Sequence, residues 1–486
     1  MKKLWLWLDK NLIKIFFSIF LVLIPLYPKL PLIDIEYTYI YIRFEDFFVG
    51  LFYLIFLIQL LRKKVKINWS LFRLFILFWL SVFISFYWGH WQIKTVPVNY
   101  IGFLHSFRRI EYMFVFFIGL ASTKNQNDFY YYLKIILLTF FIVCFYGIGQ
   151  KLFGWPAVQT MNPEYARGYF LFLTPEARIS STFSGHYDLA SYLIFIIPLI
   201  ISGYLFFHQK KYFFLFVLGL INLVFTASRI SYIGYILTVF PLLIWLRKFR
   251  LFFVILFLTI VLTLANNNLT SRLKRTFQVK RILVDQRTGA VYIPQKITTK
   301  ELPAGSFYIP LKNQNTNSKD LEEYKKKLIL EKEIQATKSG QKIDVASLEA
   351  NLKPVNTVLS DISFATRLQI EWPRAINAFK KSPLFGAGPS SITEATDNDY
   401  LRWLGELGLV GTSIFLIILI KIIYKILQAY LNNRNKTVLL GFVFGVFALM
   451  INASYIDVFE ASKVAFTFWS LLGIFYGYIL TFKHEK

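Results

Sequence analysis

The stretch "TDNDYLRWLGE" (396–406) gathers Asp397, Asp399, Arg402 and Glu406 at the entrance to a long apolar run. An acid at the start of a helix can cap it, and the helix dipole favours its charge. Capping occupies one carboxylate, so either Asp397 or Asp399 is left for other work, such as taking a proton from a hydroxyl. Arg402 and Glu406 are four apart, share one helix face and read as a structural pair.

Arginines recur in comparable settings. Arg229 lies between two apolar runs in "FTASRISYIGY", and Arg178 and His186 precede another in "EARISSTFSGHYDLASYL". Arg43, Glu45 and Asp46, and then Arg108, Arg109 and Glu111, accompany two more. A guanidinium at a membrane boundary is costly unless it snorkels, pairs or binds a ligand. The ligand it fits best is a phosphate, gripped bidentately by a permanent charge. His186 reads either as an interfacial polar residue or as a base titrating near neutrality. The five histidines and the single cysteine, Cys144, show no metal-ligand spacing, and there is no Walker-type glycine loop. No cofactor and no metal site is expected, and an ATP-driven pump is disfavoured.

The elements that must position these residues are transmembrane helices. The 486 residues are 56% apolar with mean hydropathy +0.50, in continuous runs rather than the alternating segments of a barrel. The opening "MKKLWLWLDKNLIKIFF" lacks a cleavage site and reads as a retained first span. An all-α polytopic membrane protein of about 12 spans is predicted, at 11–28, 44–61, 70–89, 108–122, 129–150, 186–207, 212–227, 229–246, 249–266, 401–427, 437–457 and 462–482. The net charge of +26 is no nucleic-acid signature. Its short basic connections, "RKKVK", "HQKK", "RKFR" and "NNRNK", alternate onto one side, which puts both termini in the cytoplasm. The membrane domain then comprises 1–266 (spans 1–9) and 401–486 (spans 10–12), with a large extracytoplasmic loop at 267–400. Within that loop an inserted subdomain is expected at about 280–350: a hairpin-like piece at 280–315, then a solvated helix over 317–350. An amphipathic helix begun by Ser360 or Asp361 runs to 381, and "SPLFGAGPSS" follows as a turn.

The ordered set "RISSTFSGHYDLASYL", "FTASRISYIGY", "TRLQIEWPRAINAFKKSPLFGAGPSS" and "DNDYLRWLGELGLVG", with the large loop among them, resembles the O-antigen ligase and O-antigen polymerase superfamily of integral-membrane glycosyltransferases. The resemblance covers roughly 170 to 480. It implies a metal-independent transfer of an undecaprenyl-diphosphate-linked glycan to a glycan or lipid acceptor, on the outer side of the cytoplasmic membrane. By position, Arg229 matches the family's arginine for the donor diphosphate, and Arg367 in "TRLQIEW" matches a second arginine on the large loop. Arg178 is grouped with them. Where the family has a His-Asn pair, this chain reads Asp397-Asn398. Asp397 is therefore the first choice as base, with Asp399 and His186 in reserve. The alternatives are a transporter of lipid-linked glycan or solute, or a non-catalytic envelope-binding protein. A transporter would show broken helices and mid-span charges, and a scaffold would bind its partner through the large loop.

Overall fold

In the computed structural model the described residues are 2–36, 38, 41–160, 165–174, 176–266, 268–271, 277–285, 291–292, 325–326, 328–330, 352–360, 367–392 and 396–482. They divide into two compact units, Met1–Thr270 with Arg374–Lys486, and Ser271–Pro373.

The first unit is helical. In chain order it contains α1 (Lys2–Leu26), α2 (Phe44–Leu61), α3 (Trp69–Tyr87), α4 (Asn99–Ser122), α5 (Gln126–Phe153), α6 (His186–Phe207), α7 (Lys210–Thr226), α8 (Arg229–Trp245) and α9 (Phe249–Leu264). After the second unit come α10 (Trp372–Lys381), α11 (Asp399–Asn432), α12 (Thr437–Ala453) and α13 (Ser462–Thr481). A helix thus occupies each of the twelve apolar stretches. Six are long and apolar enough to cross a membrane: α2, α3 with the π-turn that extends it to Gln92, α5, α6, α11 and α13. The shorter apolar helices α8, α9 and α12 join them. The expected count of about twelve crossings therefore stands at six by length and composition. α4 is longer than the stretch 108–122, because residues 99–107 are helical too.

Local signals set several boundaries. Asn68 and Asn125 cap α3 and α5 through bonds from the Leu71 and Asp128 amides, and Gly154 in the left-handed region closes α5. α6 and α13 are the most buried spans, whereas α9 buries little. α12 lies so close to α6 that a Cβ on Gly445 would meet the Phe195 carbonyl oxygen at 2.2 Å. Backbone approach through small residues is how helices pack where water supplies no hydrophobic drive. Cys144 is free and buried on α5.

The second unit holds a three-stranded antiparallel sheet in the order β6-β5-β7. Strands β1–β4 are the short pairs 31–33 with 42–43 and 157–158 with 170–171; β5 is Phe277–Asp285, β6 Val291–Tyr292 and β7 Leu352–Ser360. The hairpin expected at 280–315 from "VYIPQ" and "SFYIP" falls partly outside the described residues, which lack "SFYIP"; within them β6 pairs with β5, Leu283 opposite Tyr292. So does most of 317–350. The helix expected from 360 is corrected. Ser360 ends β7 opposite Phe277, because the run from Leu352 carries β-branched side chains that pair along the whole of β5. Ser360 is thus no cap, and Asp361 lies outside the described residues. Helical geometry is described from Arg367, first as a π-turn over Arg367–Glu371 and then as α10.

Candidate active site

The helices that carry the motif residues present them at one end of the first unit, around the starts of α2, α6, α8, α11 and α13. Asn398 caps α11, its side chain accepting from the Leu401 amide at 3.0 Å. Neither Asp397 nor Asp399 has that job, which corrects the sequence reading. The Asp399 carboxylate is fully buried, and its Oδ2 accepts the Val458 and Phe459 amides at 2.7 and 3.2 Å. It holds the connection between α12 and α13. Asp397 is only part-buried and sits at φ +51°, a left-handed conformation uncommon outside glycine.

α11 is broken at Gly408, whose φ of 67° and ψ of −168° suit glycine alone. The segment after α10 fills the break. The Leu409 and Val410 amides donate to Pro383 and Leu384 carbonyls, at 2.8 and 3.1 Å. The Ala387 and Gly388 amides donate to Gly405 and Glu406 carbonyls, at 2.8 and 3.0 Å. Ser85 on α3 adds a hydroxyl to the Glu406 carbonyl. The approach is so close that a Cβ on Gly408 would meet the Leu384 oxygen at 2.4 Å. "SPLFGAGPSS" is therefore not a simple turn: it seals a broken helix that the sequence reading took as continuous.

A chain of ion pairs crosses this junction. Arg109 on α4 pairs with Glu406 and, at 3.1 Å, with Glu460. Arg402 reaches Glu406 at 3.7 Å and Asp457 at 3.2 Å. Asp457 then accepts the Thr396 amide at 2.7 Å and the Asn398 amide at 3.2 Å, from the residues on either side of Asp397. Burial alone would raise the Glu460 carboxyl, but the Arg109 and Arg402 guanidiniums beside it outweigh that and hold it below the usual range. The expected Arg402–Glu406 pair is present, as part of a larger network. Arg109 was visible in the sequence, whereas Asp457 and Glu460 were passed over. Their signal was "SYIDVFEASK", two acids and a lysine between two apolar helices.

A second cluster joins the start of α2 to α4 and α13. Lys29 pairs with Glu45 at 2.7 Å, and Arg108 with Asp46 at 2.7 Å and Glu111 at 3.1 Å. Burial lowers the Lys29 ammonium, opposed by Glu45. Lys463, the second residue of α13, donates to the Pro25, Tyr27 and Thr182 carbonyls at 3.0, 2.6 and 2.6 Å.

Arg229 is the first residue of α8, directly after Ser228 and the left-handed Ala227. A helix start leaves backbone amides without intrahelical acceptors, which suits an anion. One helix end anchors both this turn and that of Asp397. Asn452 on α12 donates to Ser231 at 3.0 Å and to Ser191 on α6 at 2.7 Å. Two residues on, the Ser454 carbonyl accepts from Asn398 at 2.9 Å. The segments that carry Arg229 and Asp397 are thus both tied to the end of α12. His186, the first residue of α6, is buried, and its Nε2 faces Arg178 Nη1 within hydrogen-bond distance. A guanidinium only donates, so that imidazole nitrogen is the acceptor and its lone pair is engaged. Arg367 belongs to the second unit, where it is buried at the start of the π-turn.

No curated protein matches the chain. Residues 214–416, from α7 to just past the break in α11, match the family model described as O-antigen ligase. That span includes Arg229, Arg367, Asp397, Asp399 and Glu406, so this part of a chain rich in apolar helices is similar to the O-antigen ligase family.

Proposed function

We propose that this chain transfers a glycan from a polyprenyl diphosphate to an acceptor hydroxyl at the outer face of the cytoplasmic membrane, as an O-antigen ligase or polymerase does. The observation that carries the reading is the common anchorage of the Arg229 and Asp397 turns on the end of α12. It supports a reading in which the Arg229 turn holds a phosphate and the part-buried Asp397 carboxylate serves the same reaction. In the proposed reaction the acceptor oxygen bonds to the anomeric carbon as the bond from that carbon to the phosphate oxygen breaks. The diphosphate leaves with the electron pair, and Arg229, with Arg178 and Arg367 as further candidates, stabilises the growing charge. The hydroxyl proton passes to Asp397. Asp399 is the weaker candidate because two amides occupy it. His186 could act only after Arg178 has moved away. The outward orientation rests on the basic connections, which share the opposite end of the helices.

The break in α11 is the kind of feature a transporter shows, but here backbone partners fill it and leave no binding site between half-helices. The transferase reading is therefore preferred. Its test uses the full chain in nanodiscs with undecaprenyl-diphosphate-linked glycan extracted from the source strain. Release of undecaprenyl diphosphate is expected, undiminished by a chelator and impaired by Arg229→Lys, which keeps the charge but loses the fork. Passage of the intact lipid-linked glycan across the bilayer without release would sink the proposal.

A further inference from the structure

We infer that Asp457 is a positioning residue for the transfer reaction: it clamps the turn that presents Asp397. The inference rests on the reading of Asp397 as the base. Asp397 occupies an unfavourable backbone region, and such residues persist only where their surroundings over-determine them. One carboxylate straddles the turn. Asp457 takes the Thr396 amide with Oδ2 and the Asn398 amide with Oδ1, at 2.7 and 3.2 Å. A single side chain therefore fixes the peptide plane that sets ψ of Asp397 and the plane one residue before the one that sets its φ.

The clamp is itself held in place. Arg402 bonds Asp457 Oδ2 at 3.2 Å. Arg402 and Glu406 lie one turn apart on the first segment of α11, and Glu406 reaches back to Arg109 on α4. Beneath the turn, Asn398 caps α11 and grips the Ser454 carbonyl. Asp457 lies between that carbonyl and the Val458 and Phe459 amides held by Asp399, so its own backbone is pinned on both sides. A carboxylate suits this place better than an amide. It offers two acceptors to two donors and carries the charge that Arg402 requires, whereas asparagine offers one acceptor and turns a donor against the second amide. The clamp touches the Asp397 backbone, not its carboxylate, so its contribution is orientation.

A double-mutant cycle tests this, with undecaprenyl diphosphate release from the source strain's lipid-linked glycan as readout and folding followed by thermal melting. Asp457→Asn is expected to lower kcat by about 10–100-fold with KM within twofold. In the Asp397→Asn background the same substitution should cost less than about twofold, because a clamp has nothing left to position. A loss that persists undiminished in that background would show a general structural role and overturn the inference, and so would no loss in the single variant. Release at the parental rate by Asp397→Asn alone would instead overturn the reading of Asp397 as base. Should Asp457→Asn not fold, Asp457→Glu keeps the charge toward Arg402 while displacing both oxygens by a methylene. It enters the same cycle with the same two overturning outcomes.

Discussion

The two ends of the helical unit use charge in opposite ways. At the α8–α11 end, ion pairs such as Lys29–Glu45 are buried, and two of them, Arg109–Glu406 and Arg109–Glu460, join residues hundreds of positions apart. At the other end lie Arg62, Lys63, Lys64, Lys210, Lys211, Arg247, Lys248 and Arg434, mostly exposed, with Asp9 shared by Arg62 and Lys64. Backbone strain divides the same way. Left-handed Lys63, His208 and Arg247 end helices at the basic end, a common way to finish one. At the other end Ala227 likewise ends α7, but left-handed Asp397 ends no helix and instead precedes Asn398, the cap of α11. One end spends its charge on topology, where only sign and number matter. The other fixes each charge in one geometry, which substrate chemistry requires.

The largest expected effect contrasts two carboxylates. Asp397→Asn should lower transfer by roughly 10²–10⁴-fold, as loss of a general base does. Asp9→Asn, at the basic end, should leave both transfer and melting unchanged. Equal losses in the two would erase the distinction between the ends. The next contrast concerns arginines. Arg109→Met takes the nearest guanidinium from Glu406 and Glu460, and breaking a buried pair costs roughly 3–5 kcal/mol. A melting point several degrees lower is expected, whereas Arg62→Ala should not move it measurably. A parental melting point for Arg109→Met would mean that the buried network contributes no stability.

Gly408→Ala sharpens the account of the helix break. The backbone region alone costs about 1–3 kcal/mol for a residue with a Cβ, and that atom would also meet the Leu384 oxygen. Low yield of folded protein is expected, whereas Gly50→Ala on the open face of α2 should be tolerated, since nothing lies within 4 Å of the added atom. A smaller effect concerns acid. Glu460 is depressed in the folded protein, so its stabilisation is present above the ordinary carboxylate value, about 4.3, and is lost as pH falls through the folded value. Glu460→Gln should therefore be less stable near neutrality and show a shallower loss of melting temperature below pH 5 than the parent. Parallel curves would remove Glu460 from the set of groups that matter. The smallest effect is expected for Lys64→Ala, an exposed pair partner whose loss should vanish into the noise in salt.

Much of this contrast was legible in the chain. Continuous apolar runs located the helices, because bilayer thickness imposes one period and one length on them. Arg229, Arg109 and Asp397 stood out because a charge at a boundary is costly enough to need a reason. The β5–β7 pairing was not legible. Its partners are separated by 66 residues or more along the chain, from Asp285–Leu352 upward, and strand pairing at that distance leaves no local period. Nor was the break in α11, since "LGELGLVG" keeps a helical apolar pattern straight through Gly408. Only the positive φ and the filled junction reveal it. Asp457 escaped because its work is done through backbone amides on another element, and amides carry no sequence signature.

A discontinuity in a membrane helix is ordinarily where the protein flexes. In α11 the opposite holds. Four backbone bonds from 383–388 rivet the two halves together, and a fifth contact from Ser85 bolts the joint to α3. The first turns of α11, with Asn398 at their head, then move as one lever with the long run that follows. Any opening that admits a lipid-borne glycan must come from other elements, and the Asp397 platform stays still while they move.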